Sequence, residues 1–170
     1  MKWEIGEVNN ETRATFGSVY NKNSKILILG SFPSVKSREL NFYYGHPQNR
    51  FWKLMSKIYN EEIGDEIDLK KQFLLKNNIA LWDTLKSCEI KGSSDASITN
   101  VEINNIEELI KKSNISKIIF NGKTAYNLFV KNADMTKYSN SEIRILPSTS
   151  PANAAYSLDK LFDIWSKELK

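Results

Sequence analysis

The run Gly30-Ser31-Phe32-Pro33-Ser34 and the segment Tyr43-Tyr44-Gly45-His46-Pro47-Gln48-Asn49-Arg50-Phe51-Trp52 gather the side chains best able to do chemistry. Together they hold flat aromatic faces, amides, an Arg and the only His of the chain. Such a set suits sandwiching a planar polar molecule better than filling a core. Two later stretches join it. Asn121-Gly122 is a turn-forming pair, and Pro147-Ser148-Thr149-Ser150-Pro151-Ala152-Asn153 is rich in small hydroxyls and amides. The chemistry these residues suggest is work on a ring.

The elements that must position them are legible in the apolar spacing. Ile26-Leu27-Ile28-Leu29 ends at Gly30 and reads as a buried strand feeding a loop. Ile79-Ala80-Leu81-Trp82, Lys117-Ile118-Ile119-Phe120 and Ile143-Arg144-Ile145-Leu146 read as three more, the last stopped by Pro147. Helical spacing runs through Arg50 to Tyr59 (Phe51, Leu54, Met55, Ile58), after Gly122 (Ala125, Leu128, Phe129), and over Leu158, Leu161, Phe162 and Trp165. It recurs from Asn105 to Lys112, where Glu in the first turn and Lys in the last also match the helix dipole. Four strands alternating with helices predict an α/β fold, a three-layer α/β/α arrangement on a central four-stranded, mostly parallel sheet. Parallel strands bring their carboxyl ends to one edge, so the loops after the first, third and fourth strands are expected to converge on one pocket. Lys91 to Thr99 reads as a polar loop, and a single domain is expected over residues 1–170.

Composition narrows the class. With 170 residues and 41% hydrophobic content the chain can bury one respectable core. No stretch approaches the roughly 18 apolar residues of a membrane span, and Met1-Lys2-Trp3-Glu4-Ile5 carries acid where a signal peptide needs an apolar run. A soluble, cytoplasmic protein with no membrane partner is expected. Cys88 is alone, which excludes an intramolecular disulfide and a cysteine-ligated zinc or iron–sulfur cluster. The net charge of +4 permits a polyanionic partner without demanding one, because the lysines are scattered. Asn is plentiful throughout, so a lone Asn carries little weight.

Taken in order, the GSFPS loop, the YYGHPQNRFW, ALWDTLKSCE and GSSDASI segments, the NGKTA turn and the PSTSPAN loop resemble the uracil-DNA glycosylase superfamily. Within it the chain is most similar to the hypoxanthine-DNA (deoxyinosine) glycosylases, from roughly Ile26 to Trp165. Several ordered motifs at compatible spacing are specific where one alone is weak. The resemblance implies a monofunctional glycosylase that flips a deaminated base (hypoxanthine, uracil or xanthine) out of DNA and hydrolyses its N-glycosidic bond. It would need no metal and no cofactor, and we expect a monomer. Base release passes through a cationic sugar and an anionic base, so such an enzyme must extrude the base, grip it, stabilise charge and place a water.

The chain departs from its relatives in the first loop. Mismatch-specific uracil/thymine enzymes place the water with an Asn where this chain has Phe32, and uracil-specific ones use a loop Asp that is missing here. The resemblance therefore moves the water-positioning amide to Asn49, whose plainer reading is a cap on the helix that follows. His46 is the second catalytic candidate, for the departing base or a phosphate, with a structural role as its alternative. Ser31, Phe32, Tyr44 and Asn121 are expected at the base: Tyr44 stacking, Phe32 as a second wall, Asn121 offering its amide to a base edge. Against these stand core packing by one of Tyr43 and Tyr44, and simple turn formation by Asn121. Ser148, Thr149, Ser150 and Asn153 are expected on DNA phosphates, with Pro151 and Ala152 as a short wedge and Ser93, Ser94 and Asp95 as lesser contacts. Asp83 reads as a structural acid, with a polar role near the pocket as the minority alternative. Two rival classes remain open. A phosphate-transferring enzyme would want a Gly-rich cradle, which is absent. A non-enzymatic nucleic-acid-binding module would need no amide aimed at a pocket.

Overall fold

The structure, a computed structural model, describes residues 11–14, 16–90 and 95–170. The readings made on Met1 to Ile5, Ser93 and Ser94 lie outside the described residues. In chain order the elements are β1 (Glu11–Arg13), β2 (Ile26–Gly30), α1 (Val35–Leu40), α2 (Phe51–Tyr59), α3 (Ile67–Lys76), β3 (Ile79–Asp83), β4 (Leu85–Glu89), β5 (Thr99–Ile103), α4 (Ile106–Lys111), β6 (Lys117–Asn121), α5 (Lys123–Asn132), β7 (Glu142–Leu146) and α6 (Leu158–Leu169). Short 3-10 turns lie at Asp95–Ser97 and Met135–Tyr138.

Period-two alternation along the central strands creates the layers. Ile28, Leu81 and Ile119 point to one face, where Phe51, Leu54, Met55 and Ile58 of α2, Phe73 and Leu74 of α3 and Leu161 and Trp165 of α6 cover them. Leu27, Leu29, Ala80, Ile118 and Phe120 point to the other, under Ile106 and Leu109 of α4 and Ala125 and Phe129 of α5. Helices on both faces explain why these strands are apolar almost throughout. The strands pair in the order β3-β2-β6-β7, every pair parallel. This is the expected three-layer α/β/α fold. Removing a large ring from this core, as in Phe51→Ala, would cost about 3–5 kcal/mol.

A second, three-stranded antiparallel sheet, ordered β1-β4-β5, was not expected. The polar stretch from Lys91 to Thr99 connects β4 to β5 within it, and its first four residues lie outside the described ones. No helix among the described residues is long and apolar enough to cross a membrane.

Register fixes which residues end up together. Gly30 pairs with Asp83 at the carboxyl end of β2 and β3, and Asn121 pairs with Leu146 at the end of β6 and β7. All four strands thus deliver their last residue to one edge, where open α/β sheets hold ligands.

Candidate active site

A cavity of about 450 Å³ lies along that edge, within the roughly 300–1,000 Å³ of small-molecule sites. Gly30 to Ser34 form one wall; Tyr43, Tyr44 and Asn49 a second; Asn121 to Ala125 a third; Ser148 to Ser150 a fourth, with Asp83 between the first two strands. The expected convergence of three loops is met, and the end of β3 joins them.

The loop before α2 is tightly pinned. Gly45 N–H donates to Ser37 Oγ at 2.9 Å, Trp52 Nε1 donates to the Tyr43 carbonyl at 3.0 Å, and Arg50 N–H donates to the Thr149 carbonyl at 3.1 Å. Of Tyr43 and Tyr44, the first takes the core-packing role weighed for one of them. Tyr43 is buried, donates its hydroxyl to the Gly17 carbonyl at 2.7 Å and meets Phe16 edge-on. Tyr44 takes a left-handed backbone, φ +53°, which an aromatic residue adopts only where its surroundings hold it. Its ring packs on Phe51 with centroids 4.3 Å apart, and its buried hydroxyl finds no hydrogen-bond partner. Burial and the neighbouring Asp83 push that phenol well above its ordinary range, with Asn121 offsetting a part.

Asn49 reaches the cavity already half committed. Its Oδ1 accepts from Phe51 N–H at 2.9 Å, a turn one residue ahead of the cap residue Arg50 rather than the side-chain cap weighed against a catalytic role, and from Thr149 Oγ1 at 2.9 Å. Because a backbone N–H can only donate, the oxygen is fixed on that side and both its lone pairs are used. What Asn49 has left for a visitor is its pair of Nδ2 hydrogens.

Thr149 is the centre of this network and departs from the expectation that it touches phosphate. It is fully buried, gives its hydroxyl proton to Asn49 and accepts from Asn121 Nδ2 at 3.0 Å. Asn121 in turn accepts Thr149 N–H at 3.0 Å, so its amide holds the loop after β7 and keeps only one N–H and one lone pair for a base edge. Asn153 is likewise turned inward, Nδ2 donating to the Ser148 carbonyl at 3.0 Å. Ser148 and Ser150 remain at the surface of the cavity. Each hydroxyl accepts a backbone N–H two residues on, which leaves its proton available to an outside acceptor, and Pro151 and Ala152 form the exposed tip beyond them.

His46 does not join the site. It is absent from the cavity lining, and its Nδ1 accepts from Gln48 N–H at 3.1 Å, closing a local turn. Ser31 and Phe32 do line the cavity, with the Arg38 guanidinium 5.5 Å from the Phe32 ring centre.

Two residues were undervalued in the sequence. Arg50 donates Nη2 to the Ser150 carbonyl at 2.8 Å and the Asn153 carbonyl at 3.0 Å, with Nε 3.4 Å from the Thr149 carbonyl, and so clamps the whole loop after β7. Only its place beside Asn49 hinted at this. Asp83 lies in the cavity wall with 5% exposure, and desolvation pushes its carboxyl up to about 7. An acid ending an apolar strand, in register with Gly30, was the available signal. Among the described residues no group of three or more His, Cys, Asp or Glu is placed to hold a metal.

A cavity at the strand ends, walled by rings and amides, matches known proteins over nearly the whole chain. Residues 18–170 fit the sequence pattern of the Uracil DNA glycosylase superfamily. A hypoxanthine DNA glycosylase from Methanosarcina acetivorans is 36% identical over 149 residues, 85% of this chain and 90% of that one. A second, from Methanosarcina barkeri, is 33% identical over 157 residues, 91% and 96% of the two chains. The solution NMR structure of a candidate uracil DNA glycosylase from Methanosarcina acetivorans superimposes with a TM-score of 0.78 at 34% identity, covering 94% of this chain and 96% of the other. The chain belongs to the uracil DNA glycosylase superfamily. It is a DNA glycosylase.

Proposed function

We propose that this enzyme is a monofunctional repair glycosylase that releases hypoxanthine from DNA. Water adds to C1′ of the sugar, the electrons of the glycosidic bond leave with the base, and an abasic site remains. The reading carries with it a cytoplasmic monomer of one domain that uses no cofactor. It rests above all on Asn49, an amide at the cavity whose oxygen is locked by Phe51 and Thr149 and whose Nδ2 is open to a water or to the base. Holding that donor still is what transition-state stabilisation requires, and a cationic sugar asks little more of its water than position. Tyr44 and Phe32 supply the flat walls for the flipped base. Ser148 and Ser150 serve the phosphates, and Pro151 and Ala152 fill the vacated stack. Arg50, Thr149 and Asn121 act through the loop they hold, and His46 has no step.

Single-turnover excision on duplexes carrying hypoxanthine, uracil, xanthine or only normal bases tests the reading. Free hypoxanthine is the expected product, and Asn49→Ala lowers its release by about 10² or more while DNA affinity stays within a few-fold. Retained excision in that variant would move the catalytic amide to another residue.

A further inference from the structure

Asp83 has no work to do for the fold. Its backbone carbonyl accepts from Asn104 Nδ2 at 2.8 Å, but its carboxyl forms no hydrogen bond or ion pair among the described residues, although the side chain lies buried in the cavity wall. Beside it lies a second unsatisfied group. A Cβ built on Gly30 would come 2.4 Å from Asp83 Oδ1 and 3.0 Å from Tyr44 Oη, so both polar tips crowd over the one residue that leaves them room. Tyr44 Oη is buried too, with the Asn121 amide near it but short of a well-formed hydrogen bond. An unpaired carboxyl that faces the cavity, beside a buried hydroxyl without a well-formed hydrogen bond, is costly to a fold and useful to a ligand.

We propose that Asp83, in its protonated form, reads the flipped base by donating a hydrogen bond to the carbonyl oxygen that deamination creates, with the Tyr44 hydroxyl beside it. This rests on the glycosylase reading above and extends it to base choice. Deamination of adenine replaces an amino donor with a carbonyl acceptor, so a fixed donor at that point separates damaged from normal base. A site built around a donor rejects a partner that cannot accept. The protonated form is also the one that suits the reaction, because an ionised carboxyl would repel the negative charge growing on the departing base, whereas a carboxylic acid stabilises it.

The surroundings favour that form. The titratable groups facing Asp83 are Tyr43 and Tyr44, whose own ionisation it opposes. Gly30 of β2 brings no charge, and neither does Asn121 of β6. The cations nearby are Lys123, exposed at the start of α5, and Arg38 of α1, over Phe32; neither forms an ion pair with Asp83. Burial without a counter-charge holds the carboxyl at about 7, and at neutral pH a large share carries its proton.

The test is single-turnover hypoxanthine release from pH 5.5 to 9 by the wild type, Asp83→Asn and Asp83→Ala, with folding followed by circular dichroism. The wild-type rate should fall roughly tenfold per unit above the Asp83 transition. Asp83→Ala should lose at least tenfold at pH 6. Asp83→Asn, which keeps a donor of the same shape, should recover most of that loss and have a flat profile. If Asp83→Ala does not fold, the flattened profile of Asp83→Asn decides alone. A wild-type profile flat to pH 9, or Asp83→Asn as impaired as Asp83→Ala, overturns the proposal while leaving the glycosylase reading intact. Absence of hypoxanthine release by the wild type at every pH overturns the choice of substrate, and this inference with it.

Discussion

Thr149 has one hydroxyl proton and gives it to Asn49, while Asn121 supplies the bond it accepts. Thr149→Val keeps the shape and removes both bonds, leaving a buried amide unsatisfied; a loss of about 1–3 kcal/mol in thermal unfolding follows. Excision should fall about 10–100-fold, because Asn49 loses one of its two anchors. Thr149→Ser should restore both, and a wild-type rate in the Val variant would remove Thr149 from the positioning network. Asp83 makes a prediction of opposite sign. Its folded carboxyl titrates near 7 and an unfolded one near about 4, so the unfolded chain gives up its proton first as pH rises. Wild-type stability therefore declines relative to Asp83→Asn across that window. The gap is absent at low pH and levels off above neutrality at roughly 2–4 kcal/mol, which thermal melts at pH 4 and pH 8 would measure. That Asn49, Tyr44 and Ser148 line one cavity was legible in the sequence, because motif order brings them to one edge. It misassigned Thr149 because a hydroxyl in a polar loop looks exposed until a buried amide is found opposite it. Asp83 was undervalued for the converse reason: an acid gives no sign in sequence of the counter-charge it lacks.

The loop after β7 depends on the first residue before α2. Arg50 donates to carbonyls on both sides of the Pro151–Ala152 tip, a geometry that a fork of N–H groups spans and a single ammonium does not. Arg50→Lys should therefore speed amide exchange at Ser150 through Asn153, weaken binding to an abasic duplex several-fold and leave the α2 core unmoved. Unchanged exchange in that loop would mean that Trp165 Nε1, which donates to the Pro147 carbonyl at 3.0 Å, suffices to hold it. The strands β2, β3 and β6 and the helices α2 and α6 were legible because each buries several apolar side chains at its own period, and α4, α5 and β7, which bury fewer, keep the same spacing in their half-buried residues. Most of the elements that escaped lack that spacing; β4 buries Leu85, Ser87 and Cys88, but its polar Lys86, Ser87 and Glu89 conceal it. α1 buries only Ser37, α3 buries Phe73 and Leu74 near its end alone, and β5 has no buried residue. β1 is three residues long, too short for any period to register.

At the scale of the molecule, the four walls of the cavity contain one lysine among the described residues, Lys123. Borohydride trapping on a hypoxanthine duplex should give no protein–DNA adduct, since the mechanism sends water and not an amine to the sugar. An adduct that disappears in Lys123→Ala would make the enzyme a lyase. The hydrogen-bond chain from Asn121 through Thr149 to Asn49 joins residues 28 and 100 positions apart, and α6 fastens the same loop at the Pro147 carbonyl. A site so assembled cannot exist in part. While the chain is being synthesised, Asn49 emerges long before the residue that will aim it, and the nascent protein carries a cavity wall with no chemistry in it. Catalysis should switch on late, once Thr149 and the loop that Trp165 holds at Pro147 are in place. In a refolding experiment, the return of base release is therefore a clock for that final event rather than for collapse of the sheet.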